Sequence, residues 1–433
     1  MLIDRVAIVG AGYTGLAAAT YFCDRGISVD VYETGSKAGG LAKGIDFNGH
    51  DWPLDLFYHH WFYKEKALGK FANLHGLRDQ IQVYSPTTSF YLNGEVRPFD
   101  QPHHILSYPG LSTFDRYRLG KSLVKLRVKE NWDKLEKFTA EQWLIDNMGK
   151  HVYEKMWKPM LVGKWGAYYN QINMAWFWAR IHVRTKKLMY PKGGFQSFTD
   201  KIVKSLEEKG VSFHFNHPIT NVKKKGNEVV GIDKEKAFNK VILTVGPKIF
   251  AKIVNYTSKD SICNLNDIHS TGAICATFIL NKSILQDTYW LNVPAKSTDF
   301  LSNEIPFLAF VEHTNMIPSK HYGGHHIIYC ANYLSPDSEF FNFNNDKILD
   351  IYTSGLKKLS PDLTKNNILA AYVSRTEYAQ PVFLVNHSNF VPSFETSIPN
   401  VYWASMSHVY PWDRGTNYAV DLGFNIANYI CSK

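Results

Sequence analysis

A glycine-rich motif near the start of this 433-residue chain carries the clearest chemistry. Gly10, Gly12 and Gly15 follow an apolar run, residues 6–9, and Glu33 ends a second apolar run. In a GxGxxG turn, the first glycine allows the tight turn, the second leaves room for a pyrophosphate, and the third lets a helix pack closely. An acidic residue about 20 positions later can bind a ribose. The motif therefore predicts a bound adenine dinucleotide at the positive end of a helix.

A pair of glycines, Gly39 and Gly40, follows Glu33 after five residues. This order of strand, GxGxxG, acid and glycine pair resembles the flavoprotein family that includes amine oxidases, protoporphyrinogen oxidases and phytoene desaturases. In that family the pair lets the chain pass close to the FAD phosphates, and an arginine usually follows where this chain has Leu41. The resemblance implies FAD as the cofactor, and Tyr13 and Thr14 are expected to contact it at the start of the first helix.

The C-terminal region, residues 409–423, precedes a segment with helical apolar spacing, residues 424–430. It resembles the last flavin motif of the same family, where a helix N-terminus points at the pyrimidine end of the flavin. A helix dipole there stabilises the negative charge of reduced flavin. The alternative is an ordinary terminal helix with a Thr or Asn cap. The resemblance implies cofactor contacts from Arg414, Gly415, Thr416, Asn417, Tyr418 and Ala419, and from the backbone of Ile219 in an expected strand over residues 219–222.

Two regions are candidates for binding substrate. His60 lies in an aromatic run, residues 55–63, and His60-Trp61-Phe62 resembles a histidine-apolar-phenylalanine run in UDP-galactopyranose mutases; a core histidine with a satisfied partner is the alternative. Arg180 and Arg184 share one face of an expected helix and could clamp a carboxylate or phosphate. The alternative is that they cover apolar surface. We therefore take His60 and Arg180 as the candidate catalytic residues.

The basic charge limits the class of partner. Net charge is +9 and the isoelectric point is about 9.0, which suits nucleic acid, anionic lipid or an anionic substrate. Most basic residues are scattered, so we expect a small-molecule substrate that could be anionic, and no nucleic acid.

One basic cluster, residues 116–137, places Leu119, Leu123 and Leu126 on one helical face. It either lies on a membrane surface or packs its leucines inward.

The cysteine and histidine patterns predict no metal site. The five cysteines are odd in number with no CxxC spacing, and the 17 histidines form no HExxH motif. An expected first strand from about Ile3 leaves no room for a signal peptide. No apolar run reaches the roughly 18 residues that span a bilayer. We therefore expect reduced thiols and a cytoplasmic location.

The residue patterns, read with the resemblance, predict an α/β fold in which a Rossmann-like FAD-binding domain is interleaved with an α+β substrate domain. The first would comprise residues 1–70, 190–251 and 386–433, and the second residues 71–189 and 252–385. Asn93-Gly94 predicts the turn of a hairpin over residues 81–98. Residues 112–190 are expected to be mostly helical, with further helices over 196–209 and 345–359.

These observations predict an FAD-dependent oxidoreductase that oxidises a small organic substrate by hydride transfer to the flavin. Two alternatives stay open. One is a flavin-dependent sugar isomerase similar to UDP-galactopyranose mutase, and the other is a flavin-free binding protein of the same fold, as in Rab GDP-dissociation inhibitors. The sequence leaves open the substrate, the electron acceptor, the oligomeric state and whether the flavin is covalently attached.

Overall fold

The computed structural model describes residues 3–225, 229–233, 237–256 and 265–433. Within these residues the strands are β1 (Arg5–Val9), β2 (Ser28–Tyr32), β3 (Gly44–Ile45), β4 (Leu54–Asp55), β5 (Trp61–Phe62), β6 (Ile81–Tyr84), β7 (Thr87–Leu92), β8 (Glu95–Pro98), β9 (Leu188–Pro191), β10 (Ser212–His214), β11 (Val222–Lys225), β12 (Val229–Ile232), β13 (Ala237–Phe238), β14 (Lys240–Leu243), β15 (Ser270–Leu280), β16 (Thr288–Asn292), β17 (Ala309–Glu312), β18 (His326–Leu334), β19 (Ile368–Pro381) and β20 (Val401–Trp403). The helices are α1 (Tyr13–Cys23), α2 (Lys66–Leu74), α3 (Pro102–Leu106), α4 (Thr113–Val128), α5 (Trp132–Leu135), α6 (Ala140–Met148), α7 (Lys150–Val152), α8 (Lys158–Trp165), α9 (Met174–Val183), α10 (Gly194–Glu208), α11 (Pro247–Ile253), α12 (Asn345–Leu359) and α13 (Thr416–Cys431).

A parallel sheet forms the first half of the architecture, with strand order β10-β2-β1-β14-β20. Its central strand β1 is buried on both faces, since Val6, Ala7 and Ile8 are fully inaccessible to solvent. Parallel sheets of this kind need cover on both faces. Helices α1 and α13 pack against each other beside it, and Gly423 allows the contact, because a Cβ there would lie 2.3 Å from the Thr14 carbonyl oxygen. The predicted α/β, Rossmann-like character is confirmed.

A second sheet of seven strands has the order β19-β15-β18-β17-β16-β7-β8. Its pairs are antiparallel except for β16 with β7. The helices from α4 to α9 form a separate buried cluster that includes Leu119, Trp143 and Trp176. The predicted helix-rich region over residues 112–190 is therefore present. Along the chain, the strands of the parallel sheet come before, between and after the segments that form the seven-stranded sheet. The two parts are therefore interleaved, while the domain boundaries stay a prediction.

Three expected elements need correction. Strand β11 begins at Val222 and the chain over residues 217–221 is irregular, because Asp233 Oδ1 accepts hydrogen bonds from the backbone of Thr220 and Asn221. Strand β6 pairs with β9 rather than with its neighbour β7, since Pro86 breaks the chain between them. The hairpin at Asn93 therefore joins only β7 and β8. Helix α13 starts at Thr416, earlier than the apolar spacing from 424 indicated.

The leucine face of α4 points inward, as the second interpretation of residues 116–137 predicted. Leu119 and Leu126 are fully buried and Leu123 is partly buried. In the part of the chain that is described, no helix is both long and apolar enough to cross a membrane. The described cysteines Cys23, Cys275, Cys330 and Cys431 are free thiols, and Cys263 lies outside the described residues.

Candidate functional site

The turn between β1 and α1 has two glycines that the fold itself requires. Gly10 has φ +106°, and a Cβ there would lie 2.6 Å from Thr244 Oγ1. A Cβ on Gly15 would lie 2.0 Å from the Gly10 carbonyl oxygen. The Thr244 hydroxyl donates to that same oxygen at 3.0 Å. These two positions make the turn tight and bring the helix close to the strand.

Gly12 differs, because the protein leaves the space beside it open. A Cβ there would meet only the Cα atom of Gly40, at 3.8 Å. No side chain caps the N-terminus of α1, so its first backbone N–H groups are open to an anion. The side chain of Tyr13 bonds to Thr199 at 3.1 Å in the core, and Thr14 is also buried. The Tyr13 side chain is therefore committed to the core, and both residues can contribute backbone N–H groups to a phosphate.

The glycine pair lies directly across from this opening. The Gly39 N–H donates to the Ala11 carbonyl oxygen at 2.9 Å, which ties the pair to the first loop. Gly39 and Gly40 have φ +125° and +58°, conformations that favour glycine. Leu41 is 40% exposed. Lys43, which sequence reasoning missed, brings a cation to this place, with its Nζ 3.9 Å from Glu33 Oε1.

The Glu33 carboxylate braces the loops on either side of it. Its Oε2 accepts from the Ala11 N–H at 3.0 Å and its Oε1 accepts from the Gly35 N–H at 2.8 Å. Each carboxylate oxygen can accept a further hydrogen bond. Glu33 therefore shapes the glycine loop and retains acceptor capacity for a ribose.

A cavity of about 410 Å³ opens beyond the end of β2. This volume lies in the range of small-molecule sites. Asn221 Oδ1 in its wall is buried without a hydrogen-bond partner, so it can accept from an exocyclic amine such as that of adenine. Ile219 itself packs into the core and is 7% exposed, so its neighbours form the wall. The lining residues are Tyr32, His217, Thr220, Asn221, Lys223, Ile232 and Asp233.

The start of α13 is fixed by side chains and open at its backbone. Thr416 Oγ1 accepts from Trp61 Nε1, and Asn417 Oδ1 accepts from the Leu68 N–H at 3.1 Å. The Ala419 N–H donates to the Gly415 carbonyl within the helix. No side chain caps this end either. Thr416 and Asn417 hold the helix in place, and the dipole and the open N–H groups remain for a ligand.

His60 lies among aromatic rings and is uncharged at neutral pH. Its Nδ1 is 3.1 Å from the Tyr289 hydroxyl, and its ring meets that of Trp290 edge-on at 5.8 Å. Burial, followed by the nearby His59, Arg184 and Arg180, lowers the pKa of His60 to about 3. A side chain with such a low pKa is a weak base. His60 can therefore orient a substrate by hydrogen bonding but does not supply positive charge.

Four cations, which we call the cation cluster, lie close to one another near Tyr333 and Asp413. The Nζ of Lys164 lies 3.5 Å from the Tyr333 ring centre and donates to Gln380 Oε1 at 3.2 Å. The guanidinium of Arg414 lies 4.9 Å from the same ring. Arg180 pairs with Asp413, whose Oδ1 accepts from Trp176 Nε1 at 3.3 Å. The cations are Lys164, Arg180, Arg184 and Arg414.

Three of the four cations have lowered pKa values, because they are partly desolvated and lie close to other cations. Burial, followed by Arg414, lowers the pKa of Lys164 well below its usual value. Burial and Arg180 lower the pKa of Arg184, and burial lowers that of Arg414, both to about 10. Arg184 is nonetheless exposed, and Lys164 and Arg414 are half-buried, so solvent reaches part of each side chain.

The carboxylates near the cation cluster are fewer than its cations. Burial alone would raise the pKa of Asp413, but Arg180 and Lys164 outweigh it and the pKa is lowered, so Asp413 stays ionised. Asp100 acts on Arg184, but it also pairs with Lys186 at 3.8 Å. The buried Nε of Arg414 has no acceptor. A buried donor without a partner, beside more cations than carboxylates, suits an anionic ligand.

Comparison with known proteins identifies the family to which this chain is similar. The model of the family described as "Flavin containing amine oxidoreductase" matches residues 13–431. Coproporphyrinogen III oxidase from Staphylococcus aureus is 23% identical over 294 residues, 58% of this chain and 62% of that protein. The chain thus spans less than two thirds of that relative. Two solved structures share the fold over nearly their whole length.

The first of these structures is reduced UDP-galactopyranose mutase. It has a TM-score of 0.75 and 16% identity, and the match covers 99% of this chain and 96% of that one. The second is cyclohexylamine oxidase from Brevibacterium oxydans, with a TM-score of 0.73 and 14% identity, covering 100% of this chain and 99% of that one. At these identities the likeness extends to the fold alone.

Proposed function

The chain belongs to the flavin-containing amine oxidoreductase family, and we propose that it oxidises a small organic anion by hydride transfer to FAD. It is an FAD-dependent oxidoreductase, and this family membership favours FAD over the flavin-free alternative. The choice of an anion as substrate rests on the cluster of four cations around Lys164, described above. The choice of hydride transfer rests on the chemistry of the cofactor.

The residues present fit FAD along its length. The open space beside Gly12 and the uncapped end of α1 suit the pyrophosphate. The unpartnered Asn221 Oδ1 suits the adenine amine. The uncapped end of α13 suits the negative charge of a reduced flavin. Lys43 stands where it can take the part of the arginine that usually follows the glycine pair.

Replacing Glu33 tests the expected ribose contact. We expect Glu33→Ala to weaken FAD binding by about 1.5–3 kcal/mol, the range for a hydrogen bond to a charged group. FAD retained after dialysis, followed by its absorbance, measures the loss. Glu95→Ala, which removes a carboxylate that is 63% exposed, serves as the control and should retain FAD as the wild type does. Unchanged retention in Glu33→Ala would show that the carboxylate only braces the loops.

The positive charge of the cation cluster favours an anionic substrate over a protonated amine. A protonated amine would face four cations with Asp413 and Asp100 as the opposing charges, so its entry would be repelled. A carboxylate or phosphate would instead satisfy the free Nε of Arg414 and pair with Arg184 and Lys164. The proposed substrate is therefore an organic anion rather than an amine, although the family description refers to amines.

The chain's own residues would position this substrate. The cation cluster would hold the anionic group of the substrate. His60, as a neutral hydrogen-bonding side chain, would orient the rest of the substrate. Tyr58 and Tyr333, whose hydroxyl oxygens are 3.5 Å apart, connect the cation cluster to the aromatic rings around His60, because the Trp290 ring meets that of Tyr58 edge-on at 5.0 Å. Bound FAD supplies the two-electron acceptor for the substrate C–H or C–N bond and passes the electrons to oxygen, a quinone or another acceptor.

An anaerobic mixing experiment tests the proposed reaction. The yellow protein is mixed with candidate substrates, namely porphyrinogens with carboxylate groups, polyene carboxylates, UDP-sugars and simple amines. We expect the flavin absorbance to bleach with an anionic substrate and to return on addition of oxygen or a quinone. Bleaching by amines alone would overturn the proposal that the substrate is anionic.

A sugar isomerase is the second candidate, and the pair Arg180 and Arg184 favours it because two guanidinium groups suit a diphosphate. Arg180 is already paired with Asp413, which leaves Arg184 as the less committed of the two. This function needs reduced flavin but consumes no oxidant. Turnover of a UDP-sugar only after reduction with dithionite, together with no bleaching by any substrate, would establish it in place of the oxidase.

A further inference from the structure

One side of helix α4 presents an apolar strip to solvent, separate from its buried leucines. Phe114, Tyr117, Val124 and Val128 are 67%, 64%, 64% and 75% exposed. With Lys121 they recur at alternating spacings of three and four residues, which places them on one face of the helix. Single exposed apolar side chains are ordinary, whereas a contiguous strip of this kind marks an interaction surface.

The charge around the strip is strongly positive. From residue 113 to residue 129 the chain has six basic residues and one acid, Asp115. That acid is engaged within the protein, where it accepts from Ser112 and lies 2.9 Å from His151 Nδ1. Lys125 pairs with Glu130 at 2.8 Å, whereas Lys121 makes no ion pair within the described part of the chain. Apolar and aromatic side chains flanked by cations are typical of helices that lie in a membrane interface.

We propose that this face of α4 docks on the surface of a bilayer that contains anionic phospholipids. The helix is about 24 Å long, and its strip would insert between the headgroups while the adjacent cations pair with lipid phosphates. Phe114 and Tyr117 suit the headgroup region, where aromatic side chains are enriched. The opposite face of the helix remains in the protein core through Leu119 and Leu126.

A second copy of the chain is the main competing occupant, and charge disfavours it. In a two-fold dimer the same residues face one another, so two strongly basic helices would come together. Lys121 lies in the middle of the strip and would approach its equivalent in the partner. An anionic lipid surface instead neutralises these charges, and the basic charge of the whole chain acts in the same direction.

Vesicle binding by the full-length FAD-bound protein tests this proposal. Co-sedimentation with phosphatidylcholine vesicles, with and without phosphatidylglycerol, should show binding that requires the anionic lipid and weakens at high salt. A variant combining Phe114→Ser, Tyr117→Ser, Val124→Ser and Val128→Ser should lower the partition coefficient at least about tenfold. The double variant Lys121→Glu with Lys129→Glu should do the same, because it reverses charge beside the strip.

Matched controls separate docking from loss of structure. Leu301→Ser with Leu369→Ser removes apolar side chains that are 45% and 47% exposed on other elements, and it should bind vesicles as the wild type does. Every variant should keep its FAD content and melting temperature, since the changed side chains lie at the surface. Wild-type protein that ignores anionic vesicles, or a four-site variant that binds them undiminished, would overturn the proposal. A wild-type dimer that the four-site variant dissociates, without vesicle binding, would assign the strip to self-association instead.

Discussion

Gly12→Val should give a folded protein that is colourless and takes up no FAD. The backbone of Gly12 is extended, with φ −76° and ψ 176°, so a valine is sterically acceptable there. Its side chain would enter the open space in front of α1, where the pyrophosphate is expected to bind. We expect FAD affinity to fall at least about a thousandfold, because both phosphates would lose the helix end. Absorbance after reconstitution with excess FAD, and circular dichroism for the fold, measure the two parts of this result.

Gly15→Val is the informative counterpart to that variant. A Cβ at Gly15 would lie 2.0 Å from the Gly10 carbonyl oxygen, so the helix must move away from the strand. This variant should lose thermal stability in the absence of FAD, whereas Gly12→Val should melt close to the wild-type apoprotein. A yellow Gly12→Val protein with normal FAD content would refute the proposed place of the pyrophosphate.

Removing two cations from the cation cluster should weaken anion binding strongly while leaving FAD in place. The variant Lys164→Met with Arg184→Met loses two charged partners, each expected to contribute about 1.5–3 kcal/mol to binding. The predicted loss of affinity is therefore about a hundredfold to ten-thousandfold for a dianion such as pyrophosphate or succinate. Perturbation of the flavin absorbance on titration with these anions reports the affinity directly.

A charge-matched control guards this result against general electrostatic effects. Lys204→Met also removes a positive charge, but its side chain is 77% exposed on α10. We expect that variant to bind anions as the wild type does, because exposed charges are screened by salt. If Lys204→Met lowered the affinity for anions as much as the double variant does, the effect would be one of net charge rather than of the cation cluster.

The two parts of the site differ in how far the sequence could predict them. Gly10, Gly12 and Gly15 lie on one turn, and each is needed for a separate steric reason, so their spacing alone predicts their geometry. Glu33 follows at the end of the adjacent strand, and the register of β1 with β2 brings it next to Ala11. Local spacing therefore predicted the glycine loop at the start of α1, while the cofactor contacts of Tyr13 and Thr14 stay a prediction.

The cation cluster depends on contacts between residues that are far apart in the chain. Lys164 on α8, Tyr333 on β18 and Arg414 before α13 come together only through tertiary packing. One signal was available, since Lys164 follows an apolar stretch, residues 159–163, and precedes Trp165 in α8, where a charge beside such a stretch needs a reason. The sequence singled out Arg180, but this residue is largely engaged with Asp413. No spacing rule could predict that pairing.

The order of the strands in the parallel sheet also determines how late in translation the sheet can be completed. Strand β1 lies between β2 and β14, and β20 completes the edge, so the sheet needs segments made early, midway and late in translation. The glycine loop therefore emerges long before β20, the edge strand of its sheet, and before α13, which packs against α1. Until then its strands have unpaired edges, which invite aggregation. With the start of α13 in the proposed cofactor site, FAD capture would follow synthesis of that helix, and cellular yield should rise with the supply of FAD, which would bind the completed fold and stabilise it by mass action.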